Sequence, residues 1–472
     1  MLNPIRLLRR LLELDRAFPA LSDAEVAAEV ERLYPWNFWT NLFDGANFWF
    51  GSTFISAGTI LALFISKLTP DPRAVGVMAA IAQAGWFLPQ LFTAGIVERL
   101  PRKKAMVVNL GLVLERLPVA LLAIAPLLAV RNPRGALALA LGALTWHVVG
   151  AGVVAISWQD MLAKIIPLNR RGRFFGLTNA VGTIMGFAAA VVSAQLLDKV
   201  AYPMNFFYCF VLAACFITLS WISLSLVREP PQPVTTPRPS FGAFWKRLPE
   251  IIKRDHNFAH FMIARLCLAL ATMGSSFLAV SAIQRWNLGD SAAGYYTLAA
   301  LIGQATGNLL FGFLADRFGH VRNLVFGALA SALAFLLAWL APTPAWNYGV
   351  FVLNGIGASA LLVSGIMVVM EFSSAELRPT YLGLSNTGTG IAGLIAPLIG
   401  GVLAKNSYAL VFISSAVIGL LGCALMALWV RDPRWEKSET ANIQSLYGIP
   451  PPEGVDMFLQ HTTDDENVSR EL

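Results

Sequence analysis

Charged residues are scarce in this sequence. Asp, Glu, Lys and Arg make up 13% of the 472 residues, hydrophobic residues make up 56%, and the mean hydropathy is +0.61. Because a soluble domain carries about 25% charged residues, this composition excludes a soluble enzyme. It also excludes disorder outside short tails. Cysteine is rare as well, and four cysteines in this length exclude a disulfide scaffold.

The usual motifs of enzymatic and cofactor chemistry are missing. The sequence has no Walker-type glycine-rich nucleotide loop, no closely spaced set of metal ligands and no Ser/His/Asp arrangement. We therefore expect no enzymatic activity, no cofactor and no metal. The net charge of +7 does not indicate a nucleic-acid partner, because the placement of the charges matters more than their sum.

Long apolar stretches dominate the chain. A helix that crosses the bilayer core needs about 20 apolar residues, and we count twelve such runs. A membrane barrel would need alternating segments of about ten residues instead. The runs therefore predict an all-α integral membrane protein with twelve transmembrane helices. Their approximate limits are 37–66, 74–97, 105–130, 136–158, 174–197, 203–227, 258–284, 293–314, 321–342, 346–371, 380–403 and 408–430.

Lys and Arg are concentrated in the loops after even-numbered runs. The loop after run 2 carries Arg99, Arg102, Lys103 and Lys104, whereas loops after odd-numbered runs carry one or two basic residues. Basic loops favour the cytoplasmic side, so we expect both termini in the cytoplasm. No cleavable signal peptide is visible. We expect the protein in the plasma (inner) membrane.

Composition divides the chain into five segments. Residues 1–34 mix Arg with Ile and Leu, which favours a cytoplasmic amphipathic helix on the membrane surface; a frayed polar tail is the alternative. Residues 35–227 and 258–430 hold six runs each. Between them, 228–257 predicts a proline-rich cytoplasmic linker with an interfacial helix. The segment 431–472 has four basic and nine acidic residues and predicts an acidic cytoplasmic tail.

The two six-run halves share a loop motif. GFLADRFG follows the second run of the C-terminal half, and AGIVERLPRKK follows the second run of the N-terminal half at an offset of 218 positions. The offset pairs Glu98 with Asp316 and Arg99 with Arg317. The tetrapeptides GLTN and GLSN open runs 5 and 11 at an offset of 207. Two similar offsets indicate a duplicated six-helix unit.

The C-terminal copy resembles the loop motif that the major facilitator superfamily carries between the second and third helices of each half. Its key residues are Gly312, Asp316, Arg317 and Gly319. In the N-terminal copy alanine, glutamate and proline replace the first glycine, the aspartate and the second glycine. The resemblance covers residues 37–430. It implies two pseudo-symmetric six-helix bundles around a central cavity that opens alternately to either face.

The loop motif suggests a gate at the cytoplasmic face. A carboxylate at a helix end accepts hydrogen bonds from a facing helix terminus, and an arginine pairs across the gap. For Arg102 and the two lysines after it, the alternative is that they only orient the loop. The candidate gating residues are Glu98, Arg99, Arg102, Gly312, Asp316, Arg317 and Gly319.

Ionisable residues inside a span are costly unless they face a cavity or a partner. The resemblance places the first helix of each three-helix repeat beside the cavity. Polar residues there, with one asparagine of run 11, are candidates for binding the substrate or a coupling ion. They are Asp44, Asn41, His147, Arg265, Asn354 and Asn386.

Asp44 and Arg265 occupy near-equivalent positions in the two halves, 221 residues apart. Three interpretations follow. The two side chains pair across the cavity in one conformation; or Arg265 binds an anionic substrate while Asp44 binds a proton or cation; or each pairs within its own half.

Glu115 and Arg116 are adjacent in run 3 and would point about 100° apart on an α-helix, so we expect them to face different directions. We interpret them as a buried charge network within the N-terminal half, with Asp44 as a partner for Arg116. A proton relay between Glu115 and His147 is the alternative.

These features predict a secondary active transporter that moves a small solute by alternating access with proton coupling. The alternative is a protein of the same fold that handles lipids or pigments or assembles a membrane complex. The expected partners are a small-molecule substrate, the lipid bilayer and protons, and we expect a monomer. The sequence does not identify the solute.

Overall fold

The computed structural model describes residues 9–16, 18, 22–97, 100–167, 170–231, 252–372 and 378–433. These residues are almost entirely helical, and no β-strand occurs among them. Glu98 and Arg99, most of the linker and nearly all of the acidic tail lie outside the described residues. So does the side chain of Asp316.

The first half folds into six spans, the first of which is in two pieces. A capping box starts the first helix, because the Ser22 hydroxyl accepts from the Glu25 N–H and the Glu25 carboxylate accepts from the Ser22 N–H. The helices are α1 (Asp23–Thr53), α2 (Ile60–Leu68), α3 (Arg73–Val97), α4 (Met106–Ala129), α5 (Pro133–Ile165), α6 (Arg171–Lys199) and α7 (Met204–Ser225).

The second half repeats this arrangement after the linker, again with six spans. Its helices are α8 (His256–Trp286), α9 (Ser291–Phe318), α10 (His320–Leu340), α11 (Trp346–Phe372), α12 (Arg378–Asn406) and α13 (Tyr408–Trp429).

Ten helices in the described part of the chain are long and apolar enough to cross a membrane. They are α4 to α13, and the first span (α1 with α2) and α3 complete six in each half. The predicted all-α membrane fold is therefore confirmed. The first span differs in detail, because α1 begins at Asp23, before the first apolar run, and the chain leaves helical structure between Thr53 and Ile60.

Matching asparagine clamps show the duplication in atomic detail. The Asn37 side chain donates to the Arg228 carbonyl at 2.8 Å and accepts from the Arg228 N–H at 2.9 Å. Asn257 does the same with the backbone of Arg431, at 2.9 Å in both directions. In each half the first helix thus fixes the chain just beyond the last helix, which closes the six-helix bundle.

The two halves meet tightly at one face of the membrane domain. We call the face with residues 166, 167, 170 and 228–231 the linker face, and the face with 69–72 and 287–290 the far face. At the far face one apolar cluster spans both halves and includes Phe64 of the first half, Tyr296 of the second half and their neighbours. At the linker face each half has separate clusters.

Polar contacts reinforce this far-face seal. The buried hydroxyls of Thr59 and Thr297 lie 2.5 Å apart across the two halves. The Lys67 ammonium lies 2.7 Å from the Asp290 carboxylate, which also accepts from Asn205 at 3.2 Å. Close helix packing adds to the seal, since α3 runs along α12 and α6 runs along α9.

The N-terminal segment packs on protein in the part that is described. Leu12 is buried against Val97, Leu100, Met106 and Val154 at the linker-face ends of α3, α4 and α5. The Leu11 carbonyl accepts from the Asn109 side chain at 2.7 Å. These contacts join residues 9–16 to the first bundle at the loop that carries the N-terminal motif copy.

Removing the first asparagine clamp should destabilise the protein. In Asn37→Ala two backbone groups of Arg228 lose their partner at a site with no solvent exposure, so we expect the free energy of unfolding to fall by about 1–3 kcal/mol. Asn257→Ala should lower the free energy of unfolding less, because Asn257 is only partly buried and water can take over the hydrogen bonds of its side chain. Unfolding in detergent measures both values.

The matched control is Asn47→Ala, since Asn47 donates only to the Phe43 carbonyl of its own helix. If Asn37→Ala were no more destabilising than Asn47→Ala, the clamp would not close the bundle.

Candidate functional site

A buried charge cluster lies inside the first half. Asp44 of α1, with Glu115 and Arg116 of α4, are each at most 6% exposed. The Arg116 guanidinium forms an ion pair with the Glu115 carboxylate. The Asp44 carboxylate accepts from the Ser220 hydroxyl of α7 at 2.6 Å, and it attracts Arg116 electrostatically. The three charged groups therefore form one cluster with a formal charge of −1.

The backbone of α4 is π-helical beside this ion pair. Met106–Leu110 and Leu112–Arg116 form the two π-helical stretches, and π-helical turns occur frequently at functional sites. The expectation that Glu115 and Arg116 face different directions is wrong, because two long side chains on neighbouring residues can bend toward each other. Both side chains are buried and contact each other.

Two further candidates of the first half border this cluster. The His147 ring nitrogen Nδ1 lies 2.8 Å from the Glu115 carbonyl oxygen, which ties α5 to α4. The Asn41 side chain donates to the Asn37 carbonyl at 2.7 Å, and its own oxygen is buried without a described partner.

The polar face of α1 points into the first bundle. Asp44 contacts α7, and Gly51 also lies against Ala213 and Ile217 of that helix. We expected Asp44 and Asn41 beside the central cavity. Asp44 instead bonds to α7 within the first half, and Asn41 is 2% exposed and bonds within α1. Their functional roles remain predictions.

Arg265 is the buried cation of the second half and is 9% exposed. Its Nε donates to the Thr389 hydroxyl at 3.0 Å, and its Nη1 donates to the Gly365 carbonyl. The guanidinium lies 5.7 Å from the Phe261 ring centroid. No carboxylate lies within 4 Å of it in the described part of the chain. In this conformation Asp44 and Arg265 each contact their own half and do not pair.

A chamber of about 280 Å³ lies one helical turn beyond Arg265 on α8, between α8, α10, α11 and α13. Asn354 lines it and accepts weakly from Ser275, at 3.5 Å. Gln83 of the first half also reaches its wall. Asn386 is partly buried on α12 and makes no hydrogen bond to another described residue. Sequence reasoning missed the chamber, because small side chains signal close packing as readily as a cavity.

The linker face holds the described gating candidates. Gly319 has a φ of 85°, a conformation that suits glycine, and forms the turn between α9 and α10. Gly312 has open space around it. Arg317 is exposed and lies 5.4 Å from the Phe318 ring. Arg102 lies 3.2 Å from the Glu13 carboxylate of the N-terminal segment.

Two carboxylates at this face were missed by sequence reasoning. Glu229 accepts from the Lys103 and Lys104 N–H groups at 3.0 and 2.7 Å at the start of α4, and pairs with Lys164 at 3.0 Å. Asp432 accepts from the Val321 N–H at 3.3 Å at the start of α10. Carboxylates stabilise helix N-termini. The signal was present, because Arg-Glu-Pro and Arg-Asp-Pro follow the last span of each half.

Lys103 ties several parts of this face together. Its ammonium donates to the Val97 and Leu100 carbonyls at 2.6 and 2.8 Å and lies 3.6 Å from the Asp160 carboxylate. Burial lowers the pKa of Lys103, and the negative charges of Asp160 and Glu229 oppose that shift. Its contacts with the end of α3 give it a structural role beyond orienting the loop.

Comparisons with known proteins agree with this architecture. A sequence profile of the Major Facilitator Superfamily matches residues 261–452. This match covers most of the second half of the chain. The family prediction is thereby confirmed, and the family consists of membrane transporters rather than enzymes.

Individual relatives are distant. An uncharacterized protein of Mycobacterium tuberculosis is 24% identical over 270 residues, which cover 55% of this chain and 52% of the relative. An uncharacterized MFS-type transporter of Methanocaldococcus jannaschii is 24% identical over 288 residues, covering 59% of this chain and 69% of the relative. The chain thus spans about half the length of the first of these relatives.

A solved structure shows the same fold over most of the chain. A D-xylose-proton symporter superposes with a TM-score of 0.60 at 14% identity, covering 85% of this chain and 99% of the symporter. At this identity the likeness shows the fold alone.

Breaking the buried charge cluster should lower the stability of the protein. Arg116→Met leaves the Glu115 and Asp44 carboxylates without their cation, so we expect the free energy of unfolding to fall by about 3–5 kcal/mol. Glu115→Gln should lower the free energy of unfolding less, because Arg116 still has the Asp44 carboxylate nearby. Unfolding in detergent measures both values.

The control is Arg73→Met, since Arg73 is exposed at the far face and pairs with Asp71 there. We expect little change from it. Equal effects of Arg73→Met and Arg116→Met would contradict the cluster as a unit of stability.

Proposed function

We propose that the protein is a secondary active transporter that moves a small solute by alternating access and couples this movement to protons. The observation that carries the proposal is the asymmetry between the two faces. The halves share one apolar cluster and a buried hydroxyl pair at the far face, whereas at the linker face their apolar clusters are separate. Such a conformation supports access from the linker face.

The linker face is proposed to be cytoplasmic. Its loops carry the basic residues noted in the sequence, and basic loops favour the cytoplasmic side. Both termini then lie in the cytoplasm, and the membrane is proposed to be the plasma (inner) membrane. We propose that the protein acts as a monomer, with one solute pathway between its two halves.

The proton site is proposed to be the cluster around Asp44. This cluster has two carboxylates and one guanidinium, so one negative formal charge is not balanced inside it. An intramembrane carboxylate of this kind is a candidate for protonation. His147 borders the cluster through the Glu115 carbonyl, which makes it the candidate route for the proton.

The far-face seal provides a direct test of alternating access. Thr59→Cys/Thr297→Cys should form a disulfide on oxidation, because the two hydroxyls lie 2.5 Å apart. Cross-linking should hold the far face closed and abolish solute uptake into proteoliposomes, and reduction should restore it. Each single variant, oxidised in parallel, is the control. Full uptake by the cross-linked protein would contradict alternating access through this face.

Proton coupling is tested after a solute has been found. Stabilisation of the purified protein against sugars, acids, amines, drugs and lipids identifies it, because binding to the folded state raises apparent stability. Uptake of that solute should then rise in an imposed proton gradient, and Asp44→Asn should lose this stimulation while it retains solute exchange.

The matched control for this experiment is Asp71→Asn, because Asp71 lies at the far face beside Arg73. Uptake that ignores the gradient in the unaltered protein would contradict proton coupling. Stabilisation by lipids or pigments alone would favour the lipid-handling alternative.

A further inference from the structure

We infer that the transported solute is a small organic anion whose anionic group binds Arg265 and whose ring-sized apolar body occupies the chamber beside it. This inference rests on the proposed transport function and specifies the chemical class of the solute. Three features carry it: a buried guanidinium with no described acidic partner, a cavity one helical turn away, and the position of this cavity next to a residue of the first half.

Arg265 has spare binding capacity. Two of its three nitrogens donate, to the Thr389 hydroxyl and the Gly365 carbonyl, and Nη2 makes no hydrogen bond to a described residue. Both acceptors are uncharged, so the positive charge is held in place without being neutralised. The guanidinium of Arg116 differs, because it forms an ion pair with Glu115. An anion from solution is therefore the counter-charge that Arg265 lacks.

The chamber begins one helical turn beyond Arg265. Leu268 lines it and follows Arg265 by three residues on α8, while Leu361 lines it and precedes Gly365 by four residues on α11. One turn of helix spans about 5.4 Å. A carboxylate attached to a six-membered ring bridges such a distance when it lies about 2.8 Å from the guanidinium.

The walls of the chamber are mainly apolar, with a few hydroxyl and amide groups. An engineered apolar cavity of about 150 Å³ binds benzene, so 280 Å³ accommodates one ring with a short substituent. The polar groups suit a ring with or without hydroxyls. Residues that represent both kinds of wall are Leu268, Phe335, Thr272, Ser275, Ser331 and Asn354.

The internal repeat relates the chamber helices to those of the buried charge cluster. An offset of 218 places Glu115 and Arg116 of α4 at positions 333 and 334 of α10. The second half has Leu333 and Ala334 there; Leu333 is 44% exposed, and neither residue lines the chamber. The corresponding helix of the second half therefore lacks the buried charges, and the chamber lies in this half.

Arg265 lies nearer the linker face than the chamber does. On α8, which starts at that face, Arg265 precedes Leu268, Thr272 and Ser275. Gln83 of the first half lines the chamber and lies against Gly393 of α12, one turn beyond Thr389. The chamber therefore adjoins the interface between the two halves, where a transported solute must pass.

The first experiment measures binding without transport. Purified protein is titrated with benzoate, 3-hydroxybenzoate, benzamide and acetate, and thermal stabilisation is recorded. We expect both aromatic acids to stabilise the protein. We expect benzamide, which lacks the charge, and acetate, which lacks the ring, to bind at least about tenfold more weakly.

Variants then separate the two parts of the site. Arg265→Gln should weaken benzoate binding about tenfold or more, and Arg265→Lys should restore part of it. Ala358→Leu adds bulk from the exposed rim of the chamber and keeps Arg265. It should weaken benzoate binding while leaving acetate binding unchanged. The controls are Arg285→Gln at the far face and Ala120→Leu on an exposed position of α4, which should leave benzoate binding unchanged.

Several results would overturn the inference. Equal stabilisation by benzoate and benzamide, no stabilisation by either aromatic acid, or unchanged benzoate binding in Arg265→Gln would each do so. If Arg265→Gln does not fold, unchanged benzoate binding in Ala358→Leu has the same meaning.

Uptake of labelled benzoate into proteoliposomes distinguishes this inference from the proposed function. Arg265-dependent binding without uptake would contradict transport and support the anion site. Benzoate uptake that survives Arg265→Gln would support transport and contradict the anion site.

Discussion

The cost of placing charge inside a membrane is the constraint on which this structure depends. Asp44, Glu115, Arg116 and Arg265 lie within the spans with less than a tenth of their surface exposed, and each needs a partner to be tolerated there. In the first half the solution is an ion pair with a second carboxylate nearby, and it draws α1, α4, α5 and α7 together.

The two halves have similar contacts at the ends of their helices and different side chains at the centres of their bundles. Each bundle is closed by an asparagine clamp, on Arg228 in one half and on Arg431 in the other, and each has a carboxylate at the start of its third span. At the centre, the first half is filled by charged side chains and the second half contains a chamber with one cation. The two halves of this duplicated fold have kept the contacts that close each bundle. Their interiors have diverged, because different sets of side chains can fill the same space.

The sequence was sufficient to predict the spans and the two-part fold, since apolar runs and repeated motifs report both directly. It predicted the first span less well, because hydropathy does not register the break after Thr53. The direction of Asp44 could not be derived, since a polar face on a helix points either to a cavity or to neighbouring helices with the same periodicity. The pairing of Glu115 with Arg116 depends on side-chain conformation, which helix periodicity does not give. The helix caps at Glu229 and Asp432 could have been predicted from the sequence, because similar tripeptides, Arg-Glu-Pro and Arg-Asp-Pro, end the two halves.

The formal charges of the Asp44 cluster and of Arg265 are related. The cluster around Asp44 carries −1 and Arg265 carries +1, so in the unloaded protein these two centres together have no net formal charge. On the proposed assignment, one proton at Asp44 and one anion at Arg265 leave both centres neutral, and the sum over the two centres is again zero. With the proton alone or the anion alone, this sum is one unit of charge. Moving such a charge through the membrane field costs about 2.3 kcal/mol per 100 mV, in addition to the cost of leaving a buried charge unbalanced. The empty and the fully loaded states are therefore the ones that change conformation readily. Coupling between proton and solute then follows from charge balance between two sites that do not touch each other.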